Sequence, residues 1–388
     1  MNFNFDLKKC RCNSDCVKYD AAVSSGKNPD ILPMWVADMD FTVPAEVTCA
    51  LLERVSHGIY GYCQPPKAYY EAVSNWFADG FGWKNDTEWI VPIPGVVHAI
   101  SVALRAYTEV NDSVLILQPV YHPFANTTKA NNRNLVISNL VETDGKYTVD
   151  FADFENKIVE NNVKLFILCS PHNPIGRVWE EWELRKMAEI CLAHGVLVIS
   201  DEIHADFVFS GHRHTVFASL SDEIAQNCII CTAPTKTFNL AGLEDSNIFI
   251  PNPTLREQYR KAMSISGGCS LNVMGMTAAQ AAYTYGRPWK DALVEYLEGN
   301  INYLQKELQK LDMGIHFRKP EGTYLLWLDC RDMGLSVPEL GRFWEEKANI
   351  WLNDGSMFGE AGAGFMRLNI ATQRSNVEEA VRRLANAK

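Results

Sequence analysis

The chain has 388 residues, 47% of them apolar and 21% charged, with a formal net charge of −11. That profile belongs to a globular protein able to bury a large core, and the length favours two domains over one. The acidic balance argues against a nucleic-acid partner or an anionic membrane surface, and no window nears the roughly 18 uninterrupted apolar residues of a membrane span.

In chain order, Met1–Lys9 is polar and lacks the apolar run of a secretory signal. The eleven cysteines are scattered and odd in number, which reads as reduced thiols and a cytoplasmic location. Cys10, Cys12 and Cys16 form a C-x-C-x3-C cluster, but no second ligand pair follows at zinc-finger spacing. The cluster is read as three thiols in an N-terminal arm. His204, His212 and His214 also lack a completing ligand, so no metal is expected.

Beyond the first forty residues, short continuous apolar runs alternate with helical patterns. The runs are Val114–Gln118, Leu165–Ser170, Val196–Ser200, Ile229–Thr232 and Ile248–Ile250. Continuous runs suit strands buried on both faces. Helices are predicted over Ala68–Phe81, Val96–Tyr107, Glu180–His194 and Asn272–Tyr285, where apolar residues recur at three- and four-residue intervals. The alternation predicts an α/β fold with a mostly parallel sheet covered by helices. After about Gly286 the pattern changes. A long helix over Pro288–Leu311 is followed by Tyr324–Leu328, a helix near Pro338–Lys347, strands near Ile350–Asn353 and Phe365–Ile370, and a last helix from Ser375. The expected division is an arm over residues 1–44 that packs with the small domain, a large domain over 45–286, and a smaller α+β domain over 287–388.

Several residues follow predicted strands where α/β sheets bind ligands. Asp201 ends the run Val196–Ser200; its bland alternative is a helix N-cap. Glu202, the next residue, points to the other side. Lys236 sits in Cys231-Thr-Ala-Pro-Thr-Lys-Thr-Phe-Asn-Leu-Ala-Gly242, without the charged neighbours of a solvated lysine. Asn173, before Pro174, is either an amide donor or a turn residue. Gly95-Val96-Val97 opens a helix whose free amides suit a phosphate. Tyr121 is placed to stack on a ring or to fill core. Arg367 lies inside the apolar strand Gly364-Phe-Met-Arg-Leu-Asn369 and needs an anion, either a ligand or a structural partner.

In this order the residues resemble the fold-type-I pyridoxal 5′-phosphate enzymes, the aspartate aminotransferase superfamily, over essentially the whole chain. The resemblance is closer to the MalY/PatB cystathionine β-lyase and cystalysin-like C–S lyase branch. Its marks are Met34-Trp-Val-Ala-Asp-Met-Asp-Phe41, Tyr60-Gly-Tyr62, Pro171-His-Asn-Pro174, Asp201-Glu-Ile-His204 and Lys236-Thr-Phe-Asn-Leu-Ala-Gly-Leu243. The resemblance implies that Lys236 carries the cofactor covalently and shuttles protons, and that Asp201 partners the pyridine nitrogen. It implies that Asn173 meets the ring oxygen near the substrate carboxylate. Val96, Val97 and Thr235 would hold phosphate, Tyr121 would stack and assist catalysis, and Arg367 would bind the α-carboxylate. His204 stands where many aminotransferases have tyrosine. Tyr62 would reach the phosphate across a homodimer interface, with Tyr60 as its competitor. Where many relatives carry a phosphate-binding arginine, this chain has Glu244 followed by Asp245, which must point elsewhere. The implied reaction is α,β-elimination of cystathionine or cysteine S-conjugates to pyruvate, ammonia and a thiol. Transamination of hydrophobic or aromatic amino acids is the alternative.

Overall fold

The computed structural model describes residues 3–268 and 270–388. Seven strands form the main sheet: β1 (Ile90–Ile93), β2 (Ser113–Gln118), β3 (Asn134–Asn139), β4 (Val163–Cys169), β5 (Leu197–Asp201), β6 (Cys228–Thr232) and β7 (Ser246–Phe249). Their order is β1-β7-β6-β5-β4-β2-β3. Only β7 runs against its neighbours.

The apolar runs become strands because their alternate side chains fill two cores. Val114, Ile116, Leu165, Ile167, Ile199 and Ile229 pack into one apolar cluster. Leu115, Leu117, Phe166, Leu168, Val198 and Ile230 pack into another on the opposite face. A strand with no solvated face has no reason to alternate in polarity. The amphipathic patterns became the helices Lys67–Phe81, Val96–Tyr107, Glu181–Ala193 and Val273–Tyr285. The α/β fold expected from the sequence is the observed one.

After the helix Arg287–Leu311, a second sheet joins β8 (Leu325–Asp329), β9 (Asn353–Asp354) and β10 (Phe365–Asn369), all antiparallel, with β10 central. The predicted strand near Ile350–Asn353 is divided between two partners. Ile350–Trp351 pairs in parallel with Leu32–Pro33, while Asn353–Asp354 pairs with β10. The chain then runs as a strap, Met34–Phe41, between the two sheets; Asn369 N donates to Met34 O at 2.8 Å and Asn239 Nδ2 donates to Phe41 O at 3.0 Å. No helix among the described residues is long and apolar enough to cross a membrane.

Candidate active site

Asp201 is the last residue of β5, and the segments that follow β2, β4 and β6 carry Tyr121, Asn173 and Lys236 at the same carboxyl edge. In parallel sheets these ends converge on one edge, which is the usual ligand crevice. The second sheet brings Arg367 to the same place.

Asp201 pairs in register with Cys169 and Cys231, so it stands between two buried strands. Its Oδ1 accepts from the amide of Ile203 at 3.1 Å. A turn follows rather than a helix, so the N-cap alternative does not apply. Burial pushes its carboxyl up to about 7, against the opposing pull of the Ile203 amide and the Lys236 charge. Glu202 points away, accepting from Ser200 Oγ at 2.9 Å and the Phe217 amide at 2.9 Å, and lying 2.8 Å from His214 Nε2.

Lys236 lies in the short helix Pro234–Thr237, and Thr237 Oγ1 anchors that turn by donating to Asp206 Oδ2 at 2.6 Å. Its Nζ donates to the carbonyl of Ala37 at 2.7 Å. Burial and the charge of Arg367 hold its amine down to about 8. Thr235, beside it, is buried.

Arg367 is at the centre of β10, opposite Trp327 and Asn353. Nη1 donates to Asn173 Oδ1 at 3.1 Å, and Nη2 to Asn353 Oδ1 at 2.6 Å and Trp35 O at 2.9 Å. Its Nε has no partner among the described residues. Every acceptor is neutral, and burial lowers the guanidinium to about 10. The structural ion pair left open by the sequence is therefore not what it makes. A buried cation without a counter-ion is costly, and an incoming carboxylate relieves that cost.

Asn173 is oriented by this contact. With Oδ1 turned to Arg367, Nδ2 is the end left to donate. Its own carbonyl accepts from the Tyr121 amide at 3.0 Å, which joins the loops after β2 and β4. Burial and then the Asp201 charge raise the Tyr121 phenol. His204 is buried, with Nδ1 unpartnered among the described residues and its ring edge-on to Tyr324 at 5.6 Å. Burial, then Lys236 and Arg367, hold it well below the usual histidine range, so it is neutral.

Gly95, at φ +78°, precedes the helix Val96–Tyr107; Val96 is buried and Val97 is 38% exposed. Asp245 does point away from the crevice, as required: it accepts from Tyr69 Oη at 3.0 Å and from Asn247 Nδ2 at 3.3 Å. Glu244 is exposed. Tyr60 and Tyr62 are not brought to this chain's own crevice contacts. Tyr60 Oη donates to Val55 O at 3.1 Å, while Tyr62 stands fully in solvent. Among the described residues no cluster of His, Cys, Asp or Glu suits a metal ion, and the ten described cysteines are free. His214 is taken by Glu202, and Cys16 Sγ accepts from Arg11 Nη2 at 2.8 Å.

Sequence reading missed Tyr324, Asn353 and the carbonyls of Trp35 and Ala37. The string around Trp35 was visible as a family mark. A backbone carbonyl carries no sequence signal, and Tyr324 reads only as the start of a strand.

Fold and site together define an α/β enzyme with a buried reactive lysine, a buried carboxylate and an anion-seeking arginine on one sheet edge. Residues 30–384 match the model of the aminotransferase class I and II family, and the chain belongs to that family. Within it the chain falls in the MalY/PatB branch. It is 44% identical over 388 residues to cystathionine β-lyase PatB of Bacillus subtilis, covering 99% of each chain. It is 31% identical to protein MalY of Escherichia coli, covering 99% of this chain and 98% of the other. Among solved structures it is similar to cystalysin of Treponema denticola, which contains pyridoxal 5′-phosphate. The TM-score is 0.97 at 35% identity, covering 100% of this chain and 99% of that one.

Proposed function

We propose that this protein is a pyridoxal 5′-phosphate-dependent C–S β-lyase that releases pyruvate, ammonia and a thiol from cystathionine or cysteine S-conjugates. The observation that carries this reading is Arg367, a buried guanidinium with only neutral partners, in one crevice with Lys236 and Asp201. The named relatives supply the choice of sulfur substrates.

The donor set fits the cofactor. Asp201 is a buried carboxyl at about 7, which a cationic ring nitrogen would draw into its ionised form. Asn173 Nδ2 would donate to the ring oxygen, and Tyr121 and His204 would flank the ring. Thr235 and the first amides of the helix, at Val96 and Val97, would take the phosphate. When bound, pyridoxal phosphate supplies the electron sink for a carbanion at Cα.

The chain's own residues do the rest. Lys236 would hold the cofactor through its Nζ, and that nitrogen, once free, would take the proton from Cα of the substrate. Arg367 would bind the α-carboxylate with its free Nε–H and with N–H groups that now rest on neutral acceptors, which would orient the Cα–H bond and the β-substituent. The Cβ–S bond would then break with its electron pair leaving on sulfur while the pair at Cα forms the Cα=Cβ bond; the thiolate would take up a proton, and water would hydrolyse the released enamine to pyruvate and ammonia.

We read residues 1–44 and 287–388 as one small domain beside a large domain over 45–286, in a cytoplasmic homodimer. Leu52, Ile59, Tyr60 and Tyr62 are exposed and apolar or aromatic, which supports a second copy covering them, with Tyr62 reaching the partner's phosphate site. The test of function is pyruvate release from L-cystathionine with no keto acid added. No pyruvate from cystathionine or S-alkyl cysteines, with brisk glutamate formation from an aromatic amino acid and 2-oxoglutarate, overturns the lyase reading in favour of transamination.

A further inference from the structure

The strap Met34–Phe41 is held by a side chain of the small sheet, Asn369, and by one from the turn after Lys236, Asn239. Asn369 Nδ2 donates to the carbonyls of Val36 at 2.5 Å and Asp38 at 2.6 Å, while its Oδ1 accepts from the Ala371 amide at 2.8 Å. Asn239, three residues after Lys236, donates to Met39 O at 2.8 Å and Phe41 O at 3.0 Å and accepts from the Met39 amide at 2.9 Å. Between the carbonyls that Asn369 grips lies that of Ala37. It accepts from Lys236 Nζ at 2.7 Å and from Tyr324 Oη at 3.0 Å.

We propose that the Ala37 carbonyl, aimed by Asn369 and shared with Tyr324, is the acceptor that positions the Lys236 amine, so that Asn369 and Tyr324 are positioning residues of the reaction. This rests on the role given to Lys236 above. A base that must be neutral before it takes a proton, and held still afterwards, is better served by a carbonyl than by a carboxylate. A carboxylate would fix it as ammonium. The one acid on the strap nearby, Asp38, is already engaged by Arg11 at 2.6 Å and Lys18 at 3.6 Å. Besides Asp38, the groups facing Lys236 are Arg367 from β10, Asp201 from β5 and, beyond it, His204, and Tyr324 leading into β8. Arg367 disfavours the ammonium form; Asp38 and Asp201 favour it. The neutral carbonyl adds a contact that strengthens once Nζ gains a proton.

Two substitutions move this contact in opposite directions. Tyr324→Phe removes the competing donor, so the carbonyl holds the ammonium form more tightly. Asn369→Ala loosens the strap, so it holds it less. Full-length chain stripped of cofactor is offered pyridoxal phosphate across a pH series, and the rate of recapture is followed by visible absorbance. The acid limb of kcat is measured on the reloaded enzyme. At pH 7, Tyr324→Phe should recapture about threefold more slowly than the parent and Asn369→Ala about threefold faster, shifts of about half a pH unit in opposite directions. The kcat limb should move likewise. If Asn369→Ala fails to fold, the upward shift in Tyr324→Phe decides. Midpoints unmoved in folded variants, or moved the same way, overturn the proposal even where melting temperature falls. A parent chain that captures no cofactor overturns the functional reading and this inference with it.

Discussion

Arg367 Nη1 donates to Asn173 Oδ1 at 3.1 Å, which ties the central strand of the small sheet to the loop that follows β4 of the large one. The carboxylate-binding group and the ring-oxygen donor are thereby set against each other before any ligand arrives.

Replacing Arg367 should separate binding from stability. Arg367→Ala should raise KM for amino-acid substrates far more than it disturbs cofactor binding, and lysine should restore only part of the loss, being a point charge without the planar fork. Arg367→Met keeps most of the volume and removes a buried charge that has no counter-ion. Its melting temperature without substrate should hold or rise, while substrate affinity is lost. A cooperative loss of folding in the methionine variant would falsify the reading of this residue as a substrate clamp.

Asp201→Asn should still take up cofactor but lose most turnover, on the order of 10²–10⁴ in rate, because an amide cannot keep the ring nitrogen protonated. Steady-state kinetics on the fully loaded variant measure this. Turnover near that of the parent means that Asp201 only closes the turn to Ile203.

Cofactor attachment should depend on pH with a known sign. Lys236 is held down to about 8 by burial and Arg367, so its neutral form grows as pH rises through that value. At pH 7 about a tenth of the chains carry the neutral amine, against about 1 in 3,000 for an unperturbed lysine. Recapture of pyridoxal phosphate should therefore quicken roughly tenfold between pH 7 and pH 9 and then level off. A rate still climbing at pH 10 points to a solvated lysine.

Borohydride reduction of the purified protein, followed by proteolysis, should place a phosphopyridoxyl group on the peptide containing Lys236. Label on any other lysine contradicts the site. Lys236→Ala should lack the visible band and release no pyruvate from L-cystathionine.

Elimination and transamination draw on the same residues, so the cofactor's fate distinguishes them. With L-cystathionine the visible band should persist through many turnovers without added keto acid. With L-alanine, which has no leaving group, only slow bleaching is expected. Rapid bleaching with cystathionine that only a keto acid reverses indicates transamination.

Much of this was legible along the chain. The runs around Ile116, Ile167, Ile199 and Ile230 declared themselves as doubly buried strands because nothing polar interrupts them, and each ends in the segment that carries a site residue. Lys236, Asp201 and Arg367 stood out for one reason: a charge within apolar or small neighbours costs free energy unless it serves a purpose. Local sequence could not reveal which partner each charge meets. Arg367 and Asn173 are 194 positions apart, and Lys236 and Ala37 are 199 apart. Whether Arg367 sits against a carboxylate or only neutral amides and carbonyls is decided by how β10 docks against the strap and the loop after β4. The same docking turned the Ala37 carbonyl toward Lys236, because hydrogen-bond satisfaction of a buried backbone is settled only when distant segments pack together.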